Sequence, residues 1–302
     1  MFRRRHPYLF FILSFAAISG TVVIAILLMI ITLTTGWSDL VEFKKGGEKV
    51  GIIEINGVIV ESDNIIARIK KFREDNSIKA IVIRINSPGG GVGPSQEIFS
   101  EIRRTVKVKK VIASMGAVAA SGGYYVAAGA DKIVANPGTI TGSIGVVMKF
   151  TNYKELMDKI GLVPVVIKSC RYKDIGSPAR DMTENERKFL NDFVRKIHSQ
   201  FVMAISEGRN MDSAKVKEIA DGRIFSGEDA LKAGFVDRLG NLEDAVNWAG
   251  ELAGIKGKIT TVTARESRLP LLKYVEESCA DILAKYGIFS YPYPAYIYRP
   301  SE

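Results

Sequence analysis

The chain has 302 residues, 47% of them hydrophobic and 25% charged. Those proportions exclude a disordered or collagen-like polypeptide, and the length allows one large domain or two of about 150 residues. Of the formal charge of +9, three units belong to Arg3, Arg4 and Arg5, and no basic run interleaves with aromatics as a nucleic-acid groove would. The two cysteines, Cys170 and Cys279, cannot form a disulfide framework, and nothing in their spacing argues for a bridge.

From Pro7 to Ser38 no residue is charged, and Tyr8 to Leu33 is almost wholly apolar. About 20 such residues suffice to cross a bilayer core. Arg3–Arg5 precede the run, and Asp39 and Glu42 follow it. The positive-inside bias then places the N-terminus in the cytoplasm and everything after Trp37 outside. A cleaved signal peptide would carry a shorter apolar region, about 7–15 residues, ending at a small-x-small site. Here the run continues well past Ala16-Ala17, so residues 1–34 are expected to be an uncleaved anchor with one transmembrane helix. Residues 35–48 show no period and read as a tether. A domain at 49–255 follows, with a C-terminal extension at 256–302.

Val50–Asn56, Ala80–Ile85 and Lys110–Ser114 have the apolar character of strands, as do Lys132–Ala135, Ile144–Met148 and Val163–Ile167. Pro94 suits a helix start, with Ile98, Phe99, Ile102 and Val106 as its apolar stripe. Glu184–Ile205 predicts a long amphipathic helix, with Phe189, Phe193, Ile197 and Phe201 four apart. Alternating strands and helices give an α/β domain with a substantially parallel sheet. The tail Tyr291–Pro300, rich in Tyr and Pro, is expected to be extended. That is the shape a peptide groove takes up by strand addition, so the tail is expected to lodge in such a groove of the same assembly.

Much chemistry is excluded by the residues themselves. Only His6 and His198 are present; the first flanks the membrane and the second falls mid-helix, so a histidine-based triad has one weak candidate. There is no Gly-x-Ser-x-Gly elbow, no Ser with Lys three residues on, no His-Glu-x-x-His, no Cys-x-x-Cys and no phosphate-binding Gly-x-x-x-x-Gly-Lys-[Ser/Thr] loop. Neither a metal nor a cofactor is expected.

Two glycine-rich segments remain. Asn86-Ser-Pro-Gly-Gly-Gly-Val-Gly follows one strand and precedes a helix, so its glycines let bare N–H groups approach a ligand. Met115-Gly-Ala-Val-Ala-Ala-Ser-Gly-Gly-Tyr-Tyr follows the next strand. It places Ser121 at the N-terminus of a helix running to Ala128, where developing negative charge is favoured. Each alone reads as a turn or a capping serine; together they offer a nucleophile with oxyanion donors on either side. With histidine nearly excluded, the base for a serine would be a lysine. Lys132, Lys149, Lys168 and Lys173 all follow within some fifty residues, and spacing does not choose among them.

The Asn86-Ser-Pro-Gly-Gly-Gly loop, Ala-Ala-Ser121-Gly-Gly-Tyr-Tyr, Ala130-Asp-Lys-Ile-Val-Ala-Asn-Pro, Thr141-Gly-Ser-Ile-Gly-Val and Tyr172-Lys-Asp-Ile together carry a resemblance. So do Ala220-Asp-Gly-Arg-Ile-Phe-Ser-Gly and Gly234-Phe-Val-Asp-Arg-Leu-Gly. In this order, over roughly residues 49–250, the chain resembles the signal peptide peptidase A family. These are membrane-anchored Ser/Lys serine peptidases with the Clp protease/crotonase-like spiral of strand-strand-helix units. The resemblance implies Ser121 as nucleophile, Lys173 as general base and Ser143 as the residue orienting the base amine. It implies an oxyanion hole from Gly122 with Gly89 or Gly90. It further implies remnant signal peptides and other short apolar peptides as substrates at the outer face of the cytoplasmic membrane. A ring of identical subunits, with serine and lysine contributed by neighbours, is implied as well. The rivals are a crotonase-like acyl-thioester enzyme, which would share the glycine loops but use carboxylates, and a membrane-bound scaffold with a decayed site.

Overall fold

The computed structural model describes residues 48–264 and 295–297, together with Tyr8, Ser19, Gly20, Thr21, Ile24 and Ala25. The chain divides into two units, Met1–Gly47 with Ser267–Glu277, and Glu48–Glu266 with Ser278–Glu302. The described residues of the first unit are helical. Among the described residues no helix is long and apolar enough to cross a membrane; the expected anchor and tether lie almost wholly outside them.

The second unit runs β1 (Lys49–Asn56), α1 (Asp63–Glu74), β2 (Ile78–Ser87), β3 (Gly89–Gly91), α2 (Val92–Thr105), β4 (Lys110–Ala120) and α3 (Gly122–Ala127). There follow β5 (Lys132–Ala135), β6 (Ile140–Gly142), α4 (Lys154–Lys159), α5 (Glu184–Arg209) and α6 (Ser213–Ile219). The last elements are β7 (Ile224–Phe225), α7 (Gly227–Lys232), β8 (Arg238–Leu239), α8 (Leu242–Leu252), β9 (Thr260–Thr263) and β10 (Ala295–Ile297). The main sheet has the order β7-β6-β4-β2-β1-β9, parallel except where β6 meets β7.

The apolar runs of β1 and β2 are continuous because helices cover both faces of a parallel sheet. Ile53, Ile81, Ile83 and Ile85 face one core with Phe72 of α1, Ile98 and Ile102 of α2, Tyr124 of α3 and Phe201 of α5. Val50, Ile52, Ala80, Val82 and Ile112 face the other, against Val246 and Trp248 of α8. β9, in the C-terminal extension, adds an edge strand to β1.

β4 carries the fold toward the site. It pairs with β2 along one edge, and its other edge forks: Ile112–Ser114 pair with β5, Val118–Ala120 with β6. The strand continues six residues past the expected Ser114, so the second glycine-rich segment is strand rather than loop as far as Ala120. Two expected strands are not formed. The one at Ile144–Met148 is replaced by β6 just before it, because Gly142 (φ 75°) and Ser143 (φ 50°) turn the backbone out of extended geometry. Val163–Ile167 has no strand partner, and Ile167 is 96% exposed; a β-branched run makes a strand only where an edge is available to pair it.

α5 spans Glu184–Arg209, longer than the stripe indicates. Its apolar face is divided: Phe189 and Phe193 are exposed, whereas Ile197 and Phe201 are buried. Its N-terminus is closed by a capping box in which Thr183 and Glu186 satisfy each other's main-chain N–H groups, an arrangement typically contributing about 1 kcal/mol. The same Glu186 carboxylate accepts both arms of Arg180, at 2.6 and 2.9 Å. Arg180 Nε also donates to Asp174 at 2.9 Å, and Lys168 Nζ donates to Asp174 at 2.6 Å. These bonds hold an otherwise irregular segment against the start of α5.

Two outcomes follow from this packing. The Arg180 hydrogen bond, then the Thr183 N–H, hold the Glu186 carboxyl at about 2, while Arg180 and then Lys168 hold Asp174 well below the usual carboxylate range. Both acids are depressed, so their contribution is present above the ordinary range near 4 and is lost as pH falls through the folded values. Hydrogen exchange of residues 168–187 should therefore show protection retained at pH 5 and lost on approaching pH 2. Persistence of that protection well below pH 2 would contradict the ion cluster. At Gly208, helix propensity alone favours Ala by about 1 kcal/mol. A Cβ there would run into the Ala128 carbonyl, whose carbon would lie 2.9 Å away. Gly208→Ala should consequently destabilise by about 1–3 kcal/mol, read as a lower urea midpoint; a higher midpoint would refute the contact.

Candidate active site

Ser121 directly follows β4 and occupies the N-cap position of α3, with φ 53° and ψ −114°. Among the described residues only Ser121, Ser143 and Asn210 are non-glycine residues at positive φ, and Asn210 is the left-handed cap of α5. Such backbone costs about 1–3 kcal/mol per residue and persists only where its surroundings impose it. The Ser121 side chain makes no capping hydrogen bond, so the capping reading of this serine is not what the structure shows. Its N–H donates to the Gly142 carbonyl at 2.7 Å, and the next residue's N–H, that of Ser143, donates to Arg223 at 2.8 Å. Arg223 belongs to the Ala220–Phe225 segment, whose Ile224 and Phe225 pair with Gly142 and Thr141. One run of main-chain bonds thus braces both strained serines. Ser121 is buried and Ser143 half-buried.

Facing Ser121 are the glycines of β3. Gly89 donates its N–H to Ser87 Oγ at 3.1 Å. The Gly89 carbonyl accepts from Ile59 N–H at 2.9 Å, and Gly91 N–H donates to the Ile59 carbonyl at 2.8 Å. The edge left for another strand is that of Gly90. β10 takes it, antiparallel, in the register Ala295↔Gly91, Tyr296↔Gly90 and Ile297↔Gly89. The expected lodging of the tail in a groove is thus observed at residues 295–297; its other residues lie outside the described ones.

The convergence is tight enough to exclude side chains. A Cβ at Gly122 would lie 2.7 Å from Ser95 Oγ, 3.0 Å from the Tyr296 carbonyl oxygen and 3.1 Å from the Gly90 nitrogen. A Cβ at Gly89 would collide with the same carbonyl oxygen and lie 2.6 Å from the Gly122 nitrogen. The Tyr296 carbonyl therefore sits among the backbone of Gly89, Gly90 and Gly122, and the Gly122 N–H is the first of α3, with no acceptor within its helix by position. The Tyr296 ring is fully buried, stacked on Tyr125 with ring centroids 5.2 Å apart and tilted against Phe201 at 4.5 Å. Beside it, a groove of about 490 Å³ is lined by Val60, Val92, Pro94, Phe193, Ile197 and Gln200.

This aromatic pocket is a part of the site with no signature in the sequence. Tyr125 stood in the quoted motif and Phe201 in the helical stripe, but periodicity assigns both to a core and does not join them. Ser87 and Ser95, both buried and both hydrogen-bonded to the glycine strand, were likewise unmarked.

The four lysines separate by their partners. Lys132 is paired with Asp237 and Lys168 with Asp174. Lys149 and Lys173 are exposed, and among the described residues the Lys173 amine makes no hydrogen bond or ion pair. Among the described residues no hydrogen bond joins Lys173 to Ser121. Next to Lys173, the Tyr172 ring stacks on Phe189 at 5.3 Å, near the start of α5, whereas the pocket beside Ser121 rests on Phe201. Twelve residues of helix separate those two anchors, about 18 Å at 1.5 Å per residue. His198 is half-buried in α5 with Nε2 unbonded, and Cys170 is exposed with a free thiol; Cys279 lies outside the described residues. Among the described residues no group of His, Cys, Asp and Glu is placed to hold a metal ion.

Comparison with known proteins matches residues 103–256, just over half of the chain, to peptidase family S49, and residues 50–139 to Clp protease. A Synechocystis protein provisionally named a protease is 42% identical over 75% of this chain and 82% of its own length. An Enterococcus faecium protein provisionally named signal peptide peptidase SppA is 37% identical over 69% of this chain and 65% of its own. Protease 4 of Haemophilus influenzae is 33% identical over 71% of this chain, which spans only 36% of that longer protein. By these matches, this chain belongs to peptidase family S49 and is a protease.

Proposed function

We propose that the chain is a membrane-anchored serine endopeptidase using Ser121 and Lys173. The observation that carries the reading is the Tyr296 carbonyl, cradled by the backbone of Gly89, Gly90 and Gly122 at the N-terminus of the helix that Ser121 begins. An extended peptide bound as β10 is bound presents one carbonyl there. Ser121 Oγ attacks that carbon while Lys173 takes the hydroxyl proton. The oxyanion is stabilised by the N–H groups of Gly90 and Gly122, since Gly89 N–H is committed to Ser87. The proton then passes to the leaving amine, and water hydrolyses the acyl-enzyme. Ser143, braced through the same turn as Ser121, orients the lysine amine.

The separation of Lys173 from Ser121 supports a ring in which each site takes its serine from one subunit and its lysine from the next. The exposed apolar segment around Leu162, Val163, Val165 and Ile167 supports the same reading, since large apolar surfaces of this kind mark interaction faces. Residues 1–34 anchor the protein, so the ring stands at the outer face of the cytoplasmic membrane. Substrates are remnant signal peptides and other short apolar peptides. The apolar groove beside Gly91 and the aromatic pocket suit side chains of that class.

Two outcomes test this. Ser121→Ala and Lys173→Ala proteins should each be inactive and should regain peptidase activity when co-assembled. About one heterologous junction in four then joins an intact serine to an intact lysine. Background activity in rings shown by light scattering to be mixed would mean that each subunit holds its own dyad. Second, on this reading the Tyr296 carbonyl of the bound tail is the group attacked, so active protein should lose residues 297–302. Intact mass measurement should show a new C-terminus at Tyr296, absent from Ser121→Ala. Identical full-length termini in both would remove the tail as a substrate mimic.

A further inference from the structure

The segment carrying Lys173 has an unusual construction. Residues 160–182 are without helix or strand, and residues 160–173 are exposed throughout. Yet the residues on either side of Lys173 are each tied to the start of α5. On one side, the Tyr172 ring lies nearly parallel to Phe189, 20° between planes, with the Arg171 guanidinium 5.4 Å from the Tyr172 ring centre. On the other, Asp174 accepts from Lys168 Nζ at 2.6 Å and from Arg180 Nε at 2.9 Å. Arg180 then uses its remaining N–H groups on the Asp174 carbonyl at 3.2 Å, the Asp181 carbonyl at 3.0 Å, and both oxygens of the buried Glu186. Main-chain bonds from Lys173 N–H to Cys170 and from Ile175 N–H to Tyr172, each 3.2 Å, close the turn between them.

We infer that Arg180, with Asp174 and Glu186, is a positioning device for the catalytic lysine, fixing its Cα to α5 before any neighbouring subunit arrives. This rests on the reading of Lys173 as the base. A lysine reaches its target on a four-carbon flexible stem, so the accuracy of its amine depends on how firmly its main chain is held. A misplacement of about 1 Å costs about a hundredfold in rate. The planar fork of Arg180 meets two carboxylates and two carbonyls at once, which a lysine ammonium cannot reproduce. The cluster Lys168, Asp174, Arg180 and Glu186 carries two charges of each sign, so its role is geometric rather than a net field on Lys173. Asp174 does not serve the base amine directly, because both its oxygens are taken by Lys168 and Arg180.

The test is Arg180→Lys in the full-length assembled protein, assayed on a fluorogenic apolar peptide, with Lys173→Ala and wild type alongside. Arg180→Lys keeps the charge and loses the fork. The expected result is a kcat lowered about 10- to 100-fold with KM within about twofold, at wild-type ring size. Normal kcat in Arg180→Lys, with Lys173→Ala inactive, would overturn the positioning role and leave the base assignment standing. Appreciable activity in Lys173→Ala would instead remove the base assignment, and the positioning role with it. Should Arg180→Lys fail to assemble, Asp174→Ala decides the matter, since it frees the residue next to Lys173 from the Arg180 side chain's grip on its carboxylate and leaves Arg180 on Glu186. A lowered kcat at unchanged KM then supports positioning, and a wild-type kcat overturns it.

Discussion

The architecture of the site depends on three missing Cβ atoms. At residues 89 and 122 the backbone of β3, the start of α3 and the carbonyl of Tyr296 approach so closely that no side chain fits, and at residue 90 the Ile59 backbone leaves no room for one. Main-chain N–H groups are short, rigid donors, and they can surround a carbonyl oxygen only if nothing larger than hydrogen projects from the same carbons. Everything else positions those three segments. β2, which pairs with β4 in the main sheet, leads directly into β3; Ile59 holds one edge of β3, and Ser87 and Ser95 fix its ends through hydrogen bonds.

The strain is concentrated at the same place. β4 pairs with β5 and then with β6 along one edge, and Ser121 lies where that second pairing ends. Both site serines adopt positive φ there, each held by a main-chain bond from its own N–H. The cost of two such residues, about 1–3 kcal/mol each, is small beside the burial of the isoleucine-rich core on which the turn stands. The quoted motifs that carry no reactive side chain serve this frame. Asp131 accepts the Val111 N–H, Asp237 accepts the Ile133 N–H and pairs with Arg209, and Arg223 lends its carbonyl to Ser143.

α5 works as a spacer. Its buried C-terminal half supports the pocket through Phe201, and its exposed N-terminal half carries the loop with Lys173 through Phe189 and Glu186. A single continuous helix therefore separates the two groups that the proposed chemistry needs together. The helical stripe of four aromatic and aliphatic residues is accordingly buried only at one end, and at the other Phe189 carries the Tyr172 ring.

The sequence by itself determined the alternation of strands and helices, the parallel sheet, both glycine segments, the family and the serine at a helix start. These are local: periodicity, glycine at a strand end and a missing histidine can be read without knowing what lies opposite. It did not determine which apolar runs become strands, since Val163–Ile167 has strand composition and no edge to pair with, while β6 forms from a three-residue segment that β4 can reach. Nor did it separate Lys173 from Lys132, Lys149 and Lys168: Lys132 pairs with Asp237, 105 residues on, and Lys168 with Asp174 in its own loop, while Lys149 and Lys173 are exposed. The Tyr125–Phe201–Tyr296 pocket joins residues from three distant segments, so no spacing announces it. What the tertiary structure decided, in each case, was the partner, because pairing and burial belong to two surfaces and a sequence window contains only one.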